Sequence, residues 1–102
     1  FALMEIFVFP NPAIGNQQPV LHIETGLAEE VLIHLYDMSG QMLHRQTISE
    51  NPQVLARGGH SPQYAYEYAI SEPLPSGVYL YVIEAKSNGS RLKRAGRFSV
   101  VR

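Results

Sequence analysis

Four histidines, His22, His34, His44 and His60, could do chemistry as zinc ligands, against the plainer reading of a structural or solvent-facing role. A bound zinc needs three or four ligands. None of the four histidines has the i, i+4 partner of a helical zinc site. His22 and His34 would become neighbours if their segments lay on adjacent strands, but no third ligand accompanies them. Glu24, Glu29, Glu30 and Asp37 carry the oxygens calcium prefers, yet they form no compact ligand loop. Ser39 and Ser76 each precede a glycine, but neither sits in the Gly-x-Ser-x-Gly turn that exposes a nucleophile, so both read as turn residues. Cysteine is absent, which removes disulfides, thiolate ligands and thiol nucleophiles together. No catalytic, cofactor-binding or metal-ligating residue is therefore assigned, and the chain is expected not to be an enzyme.

Recognition is the chemistry that remains. Net charge is −1, but it is unevenly spread. Residues 1–50 hold six acids and one base, and residues 51–102 hold three acids and seven bases. Arg91, Lys93, Arg94, Arg97 and Arg102 gather five of the eight bases into the last twelve residues. They read either as charge protecting an edge strand from aggregation or as a docking face for an acidic partner. The overall charge argues against nucleic acid. Tyr64, Tyr66 and Tyr68 share one strand face, either as an aromatic platform for a sugar or for bases, or as a half-buried packing surface. Asn88-Gly89-Ser90 matches a glycosylation sequon, but its Asn-Gly already has a reading as a turn.

The elements that must carry these residues are strands. Segments 4–9, 20–25, 29–37, 41–48, 64–70, 77–86 and 91–101 are rich in β-branched and aromatic residues, and Gly, Pro, Asn and Ser punctuate them. Val31, Ile33 and Leu35 alternate onto one face, which sets register. Only residues 2–7 could pass for helix, and Phe7, Val8 and Phe9 favour strand. Asp37 and Gly40 predict a turn between the third and fourth segments. Asn88-Gly89 predicts a type I′ hairpin between the sixth and seventh. The last segment reads as bent at Gly96. Pro10 cannot donate to a ladder, and Pro12 pushes Asn11 to extended geometry. The chain is thereby turned out of its first strand towards the other sheet. Residues 49–63 read as one long loop. The fold expected is all-β, an antiparallel immunoglobulin-like sandwich of about seven strands, filling residues 1–102 as a single domain. No segment reads as a signal peptide or approaches the roughly 20 apolar residues of a membrane helix, so no membrane insertion is expected. The chain opens at Phe1, and it is expected to be a piece of a longer protein.

Four landmarks in order resemble a known family. They are Phe9-Pro10-Asn11-Pro12, then Tyr36-Asp37-Met38-Ser39-Gly40, then Leu74-x-x-Gly77-x-Tyr79, then the basic segment closing at Phe98 to Arg102. This succession is similar to the C-terminal immunoglobulin-like sorting domains of proteins exported by the type IX secretion system of Bacteroidetes and relatives. It is also similar to the immunoglobulin-like domain of the flagellar hook-cap protein. Gly77-Val78-Tyr79-Leu80-Tyr81 further echoes the Gly-x-Tyr-x-Cys of immunoglobulin sixth strands, with Tyr81 in the place of the cysteine. It predicts a tyrosine corner at Tyr79. The resemblance implies a non-catalytic sorting domain at the C-terminus of a larger bacterial protein, without cofactor. Its partners would be the secretion machinery or neighbouring domains, and its destination the cell surface or extracellular space, with the periplasm crossed in transit. Recognition would fall on Arg91, Lys93, Arg94, Arg97 and Arg102. The structural motif would comprise Pro10, Asn11, Pro12, Tyr36, Asp37, Gly40, Gly77 and Tyr79. The alternative function is a spacer or interaction module of a surface, cap-like or secreted hydrolase protein, and a carbohydrate-binding module stands behind that. Oligomeric state is not legible.

Overall fold

Alternating apolar and polar residues in short runs can bury one face of a strand each, and two such sheets must close on each other. The computed structural model describes residues 5–26, 28–49, 53–55 and 63–102, with backbone alone at 53–55, 63 and 64. Among these residues there is no helix. The strands in chain order are β1 (Ile6–Phe9), β2 (Ala13–Ile14), β3 (Val20–Thr25), β4 (Glu30–Asp37), β5 (Met42–Ile48), β6 (Gln53–Leu55), β7 (Gln63–Ala69), β8 (Gly77–Ser87) and β9 (Ser90–Val101). One sheet has the order β1-β3-β7-β6 and the other β2-β9-β8-β4-β5.

This is the expected sandwich, with seven anticipated segments within a residue or two of their strands and two short strands besides. β6 lies in the stretch read as one loop, where it pairs antiparallel with β7. β2 is where the chain arrives after Pro10-Asn11-Pro12. It leaves β1 in the first sheet and pairs with β9 in the second. That pairing is parallel, the one departure from an all-antiparallel ladder among the described residues. Both Phe9–Pro10 and Asn11–Pro12 are cis. Gly96 does not interrupt β9: its register with β8 runs unbroken from Ser90 to Val100.

The core follows from the alternation. Val31, Ile33 and Leu35 of β4 are all buried, as are Leu21 and Ile23 of β3. Tyr79, Tyr81, Ile83 and Ala85 of β8 face Phe98 and Val100 of β9 on the same inner side. Tyr66 is buried in this core and Tyr68 packs against it, so neither lies on an open platform. The side chain of Tyr64 falls outside the described residues, as do Leu27, Glu50 to Pro52, and Ala56 to Pro62, among them His60.

The turns carry their predicted chemistry. The Asp37 carboxylate accepts the Ser39 hydroxyl at 2.6 Å, the Ser39 N–H at 2.9 Å and the Gln41 N–H at 3.0 Å. Those bonds, the Ser39 hydroxyl first, hold its pKa below the ordinary carboxylate value. Asn88 and Gly89 take φ of 50° and 80°, the positive pair a type I′ turn requires. The Tyr79 hydroxyl donates to the Pro75 carbonyl at 2.6 Å, which is the tyrosine corner. Its ring stacks on Phe98 with centroids 5.6 Å apart. Tyr79→Phe keeps that stack and removes one hydrogen bond. It is expected to lower unfolding free energy by about 1 kcal/mol, read as a lower urea midpoint at unchanged slope.

Candidate recognition surface

The hairpin at Asn88-Gly89 fixes which side chains of β9 look outward. Ser87 pairs with Ser90, and the register then alternates without slip. Leu92, Gly96, Phe98 and Val100 therefore belong to the inner side. Arg91, Lys93 and Arg97 stand on the outer face of the five-stranded sheet, and all three are exposed. Opposite them on β8 lie Lys86, Glu84 and Leu80. Arg91 comes within 3.3 Å of Glu84, with 68% of its side chain exposed, so water screens the pair. Arg94 has the opposite parity and is also exposed. Its charge partly offsets the upward push that burial gives the Tyr81 phenol.

Arg102 is placed differently from the other four bases. Its guanidinium donates to the carbonyls of Leu74 at 3.0 Å, Gly15 at 2.7 Å and Gln17 at 2.8 Å. Its N–H donates to the Ser76 hydroxyl at 2.7 Å. It therefore clamps the end of β9 to two loops, beside an open cavity of about 700 Å³ that Pro19, Ile70, Pro73 and Leu74 also line. The remaining landmarks converge on the same end of the sandwich. The Asn11 side chain accepts the Ser99 N–H at 3.0 Å, so Pro10-Asn11-Pro12 and β9 are held together. Gly77 begins β8 opposite Val100, two residues before the Tyr79 corner. Tyr36 and Asp37 close β4 opposite Leu80 and Tyr79, and Gly40 makes the following turn at φ of 89°.

The histidines fall into three separate settings. His22 and His34 are not neighbours, because β3 and β4 belong to different sheets. His34 is half-buried on the outer face, its ring edge-on to Tyr36 at 6.3 Å. His22 is buried between Glu24, 2.9 Å away, and Glu67, 3.5 Å away, with the Phe7 ring stacked on it at 4.6 Å. His44 joins the two sheets: one ring nitrogen meets Glu72 at 2.5 Å and the other the Tyr68 hydroxyl at 2.6 Å. Burial and the Glu72 charge raise the Tyr68 pKa. These two hydrogen bonds tie β5 to β7 and to the loop that follows it, which makes the trio a strap between the sheets. Sequence reasoning missed it because its members stand 24 and 28 residues apart on different strands and a loop. The carboxylates weighed for calcium are also dispersed. Glu24 is on β3, Glu29 accepts the Asn88 N–H at 2.7 Å, and Asp37 holds its own turn. Among the described residues no group of three or more histidines and acids is arranged to hold a metal ion.

Compared with known proteins, residues 7–95 match a family model described as the secretion system C-terminal sorting domain. Arg91, Lys93 and Arg94 lie within the matched span, and Arg97 and Arg102 lie beyond it. No curated protein and no solved structure matches the chain.

Proposed function

Because this chain belongs to the family of secretion system C-terminal sorting domains, we propose that its work is recognition without catalysis. It marks a larger protein for export, through the type IX machinery, to the cell surface or the extracellular space. The machinery reads it as a folded unit. The observation that carries this reading to particular residues is the row of exposed bases on the outer face of β9, Arg91, Lys93 and Arg97, at an edge of the five-stranded sheet, with Arg94 exposed on the opposite parity. A fixed row of like charge draws an oppositely charged partner and orients it. Arg102 and the landmark residues Pro10, Asn11, Pro12, Gly77 and Tyr79 gather where β9 ends, far from its hairpin, and anchor the strand that carries that row.

Residues 1–102 fused to a periplasmic reporter in a type IX-competent host are expected to carry the reporter to the surface or medium. A reporter retained in the periplasm sinks the sorting reading and leaves the spacer or interaction module. Deletion of the domain from its parent protein gives the reciprocal result.

A further inference from the structure

Among the described residues, β9 is paired on one side only along most of its length. β8 takes that side from Ser90 to Val100. On the other side β2 reaches Val100 and Val101 alone, and Asn11 takes the Ser99 N–H. Backbone groups of a strand alternate between its two sides. The Ser99 N–H points away from β8 to Asn11 at 3.0 Å, and the Val101 carbonyl points the same way to the Gly15 N–H at 2.8 Å. With no bulge in the register, the N–H and C=O of Arg91, Lys93, Ala95 and Arg97 share that orientation. Among the described residues nothing pairs with them.

Such an edge is a template for a further strand. The side chains decide which strand fits. A residue directly opposite on an added strand places its Cβ about 5 Å away on the same face. A second copy of this edge would set Arg and Lys against Arg and Lys, which opposes pairing. A strand with Asp or Glu on alternate residues sets acid against base. Granted the reading that export machinery recognises the basic strand β9, the geometry points to strand addition as the mode of contact. An extended segment of a partner protein, with carboxylates on alternate residues, pairs with the edge from Arg91 to Arg97. It becomes the next strand of the five-stranded sheet, in line with β2.

Ala95→Pro tests this cleanly. It deletes an N–H that faces the partner and not β8, and proline is tolerated at such an edge position. Lys93→Glu with Arg97→Glu is a second variant, at two exposed positions, that leaves the core untouched. The probe is an end-capped peptide alternating Glu and Thr, with a Lys–Thr peptide as control. Amide exchange by NMR is expected to slow at residues 91, 93, 95 and 97 when the Glu–Thr peptide binds. The even-numbered amides, already held by β8, should hardly change. Ala95→Pro should weaken binding about tenfold or more, and the charge reversal should switch preference to the Lys–Thr peptide. Binding without slowed exchange at those four amides, or undiminished by Ala95→Pro, overturns edge pairing, as does failure of the Glu–Thr peptide to bind. Protection of the same amides that grows with concentration in the free protein assigns the edge to a second copy and overturns the acidic segment. Reporter export separates this inference from the one beneath it. A wild-type fusion that is not exported sinks sorting while a positive peptide result stands. Undiminished export of folded Ala95→Pro sinks the edge while sorting stands.

Discussion

Gly96→Ala is expected to destabilise the domain by about 2 kcal/mol, although the same change elsewhere in a strand commonly helps. A Cβ at position 96 would lie 2.2 Å from the Tyr81 hydroxyl oxygen and 2.4 Å from the ring carbon that bears it. Tyr81 and Gly96 are directly paired across the β8–β9 ladder, and the ring lies over the bare backbone, as aromatics do beside strand glycines. The ring cannot move aside freely. It is buried, and its hydroxyl reaches across to the Ile6 carbonyl of the other sheet at 3.5 Å. The methyl must therefore displace either the β9 backbone or a core aromatic. A double-mutant cycle with Tyr81→Leu checks the cause: with the ring gone, Gly96→Ala should cost little, so the pair couples strongly. Equal cost in both backgrounds would place the penalty in the glycine backbone and not in the ring.

That pair also marks the boundary of what the residues reveal unaided. Gly96 reads as a bend in sequence, because glycine weakens a strand and Ala95-Gly96-Arg97 interrupts the apolar alternation. The cause of its smallness is a tyrosine fifteen residues earlier, visible only once the hairpin register is set. Where local chemistry is sufficient, sequence and structure agree. Asn88-Gly89 makes its turn, Val31, Ile33 and Leu35 face inward, and Pro10-Asn11-Pro12 turns the chain from one sheet to the other. Where a feature depends on distant backbone, no local signal exists. β2 is two residues long and is a strand only because β9 lies beside it. His22 and Glu24 have the alternation of a solvent-facing side, yet both are buried, because β1 and β7 flank β3 and Phe7 covers the imidazole. The candidate surface divides the same way. The basic run on β9 is legible as composition, and the outward parity of Arg91, Lys93 and Arg97 follows from the hairpin. The clamp of Arg102 on three loop carbonyls and the unpaired edge beside Ala95 are properties of topology. Carbonyls carry no sequence signature, and a strand shows its open side only when its neighbours are known.

Phe98→Ala is expected to have the larger effect, and it bears on how the domain is read as well as how it folds. Phe98 is 1% exposed and stacks on Tyr79, its direct partner on β8. Val100, equally sheltered, lies next to it on the inner side. Removing the ring loses its transfer free energy and leaves a cavity, together about 3–5 kcal/mol. Domains of this size have roughly 5–15 kcal/mol in all, and each kcal/mol lowers Tm by about 4–8 °C. The residue stands one place beyond Arg97, so the substitution leaves every exposed base of β9 in the chain. If export depends on bases held in a fixed row at a folded edge, Phe98→Ala must lose export as the domain unfolds and regain it on cooling. Lys93→Glu with Arg97→Glu must lose export at every temperature while the domain stays folded. Circular dichroism on the purified domains and reporter export at two temperatures separate the cases. Full export of an unfolded Phe98→Ala domain would mean that the machinery reads a linear basic segment, and the sheet would then have no part in recognition.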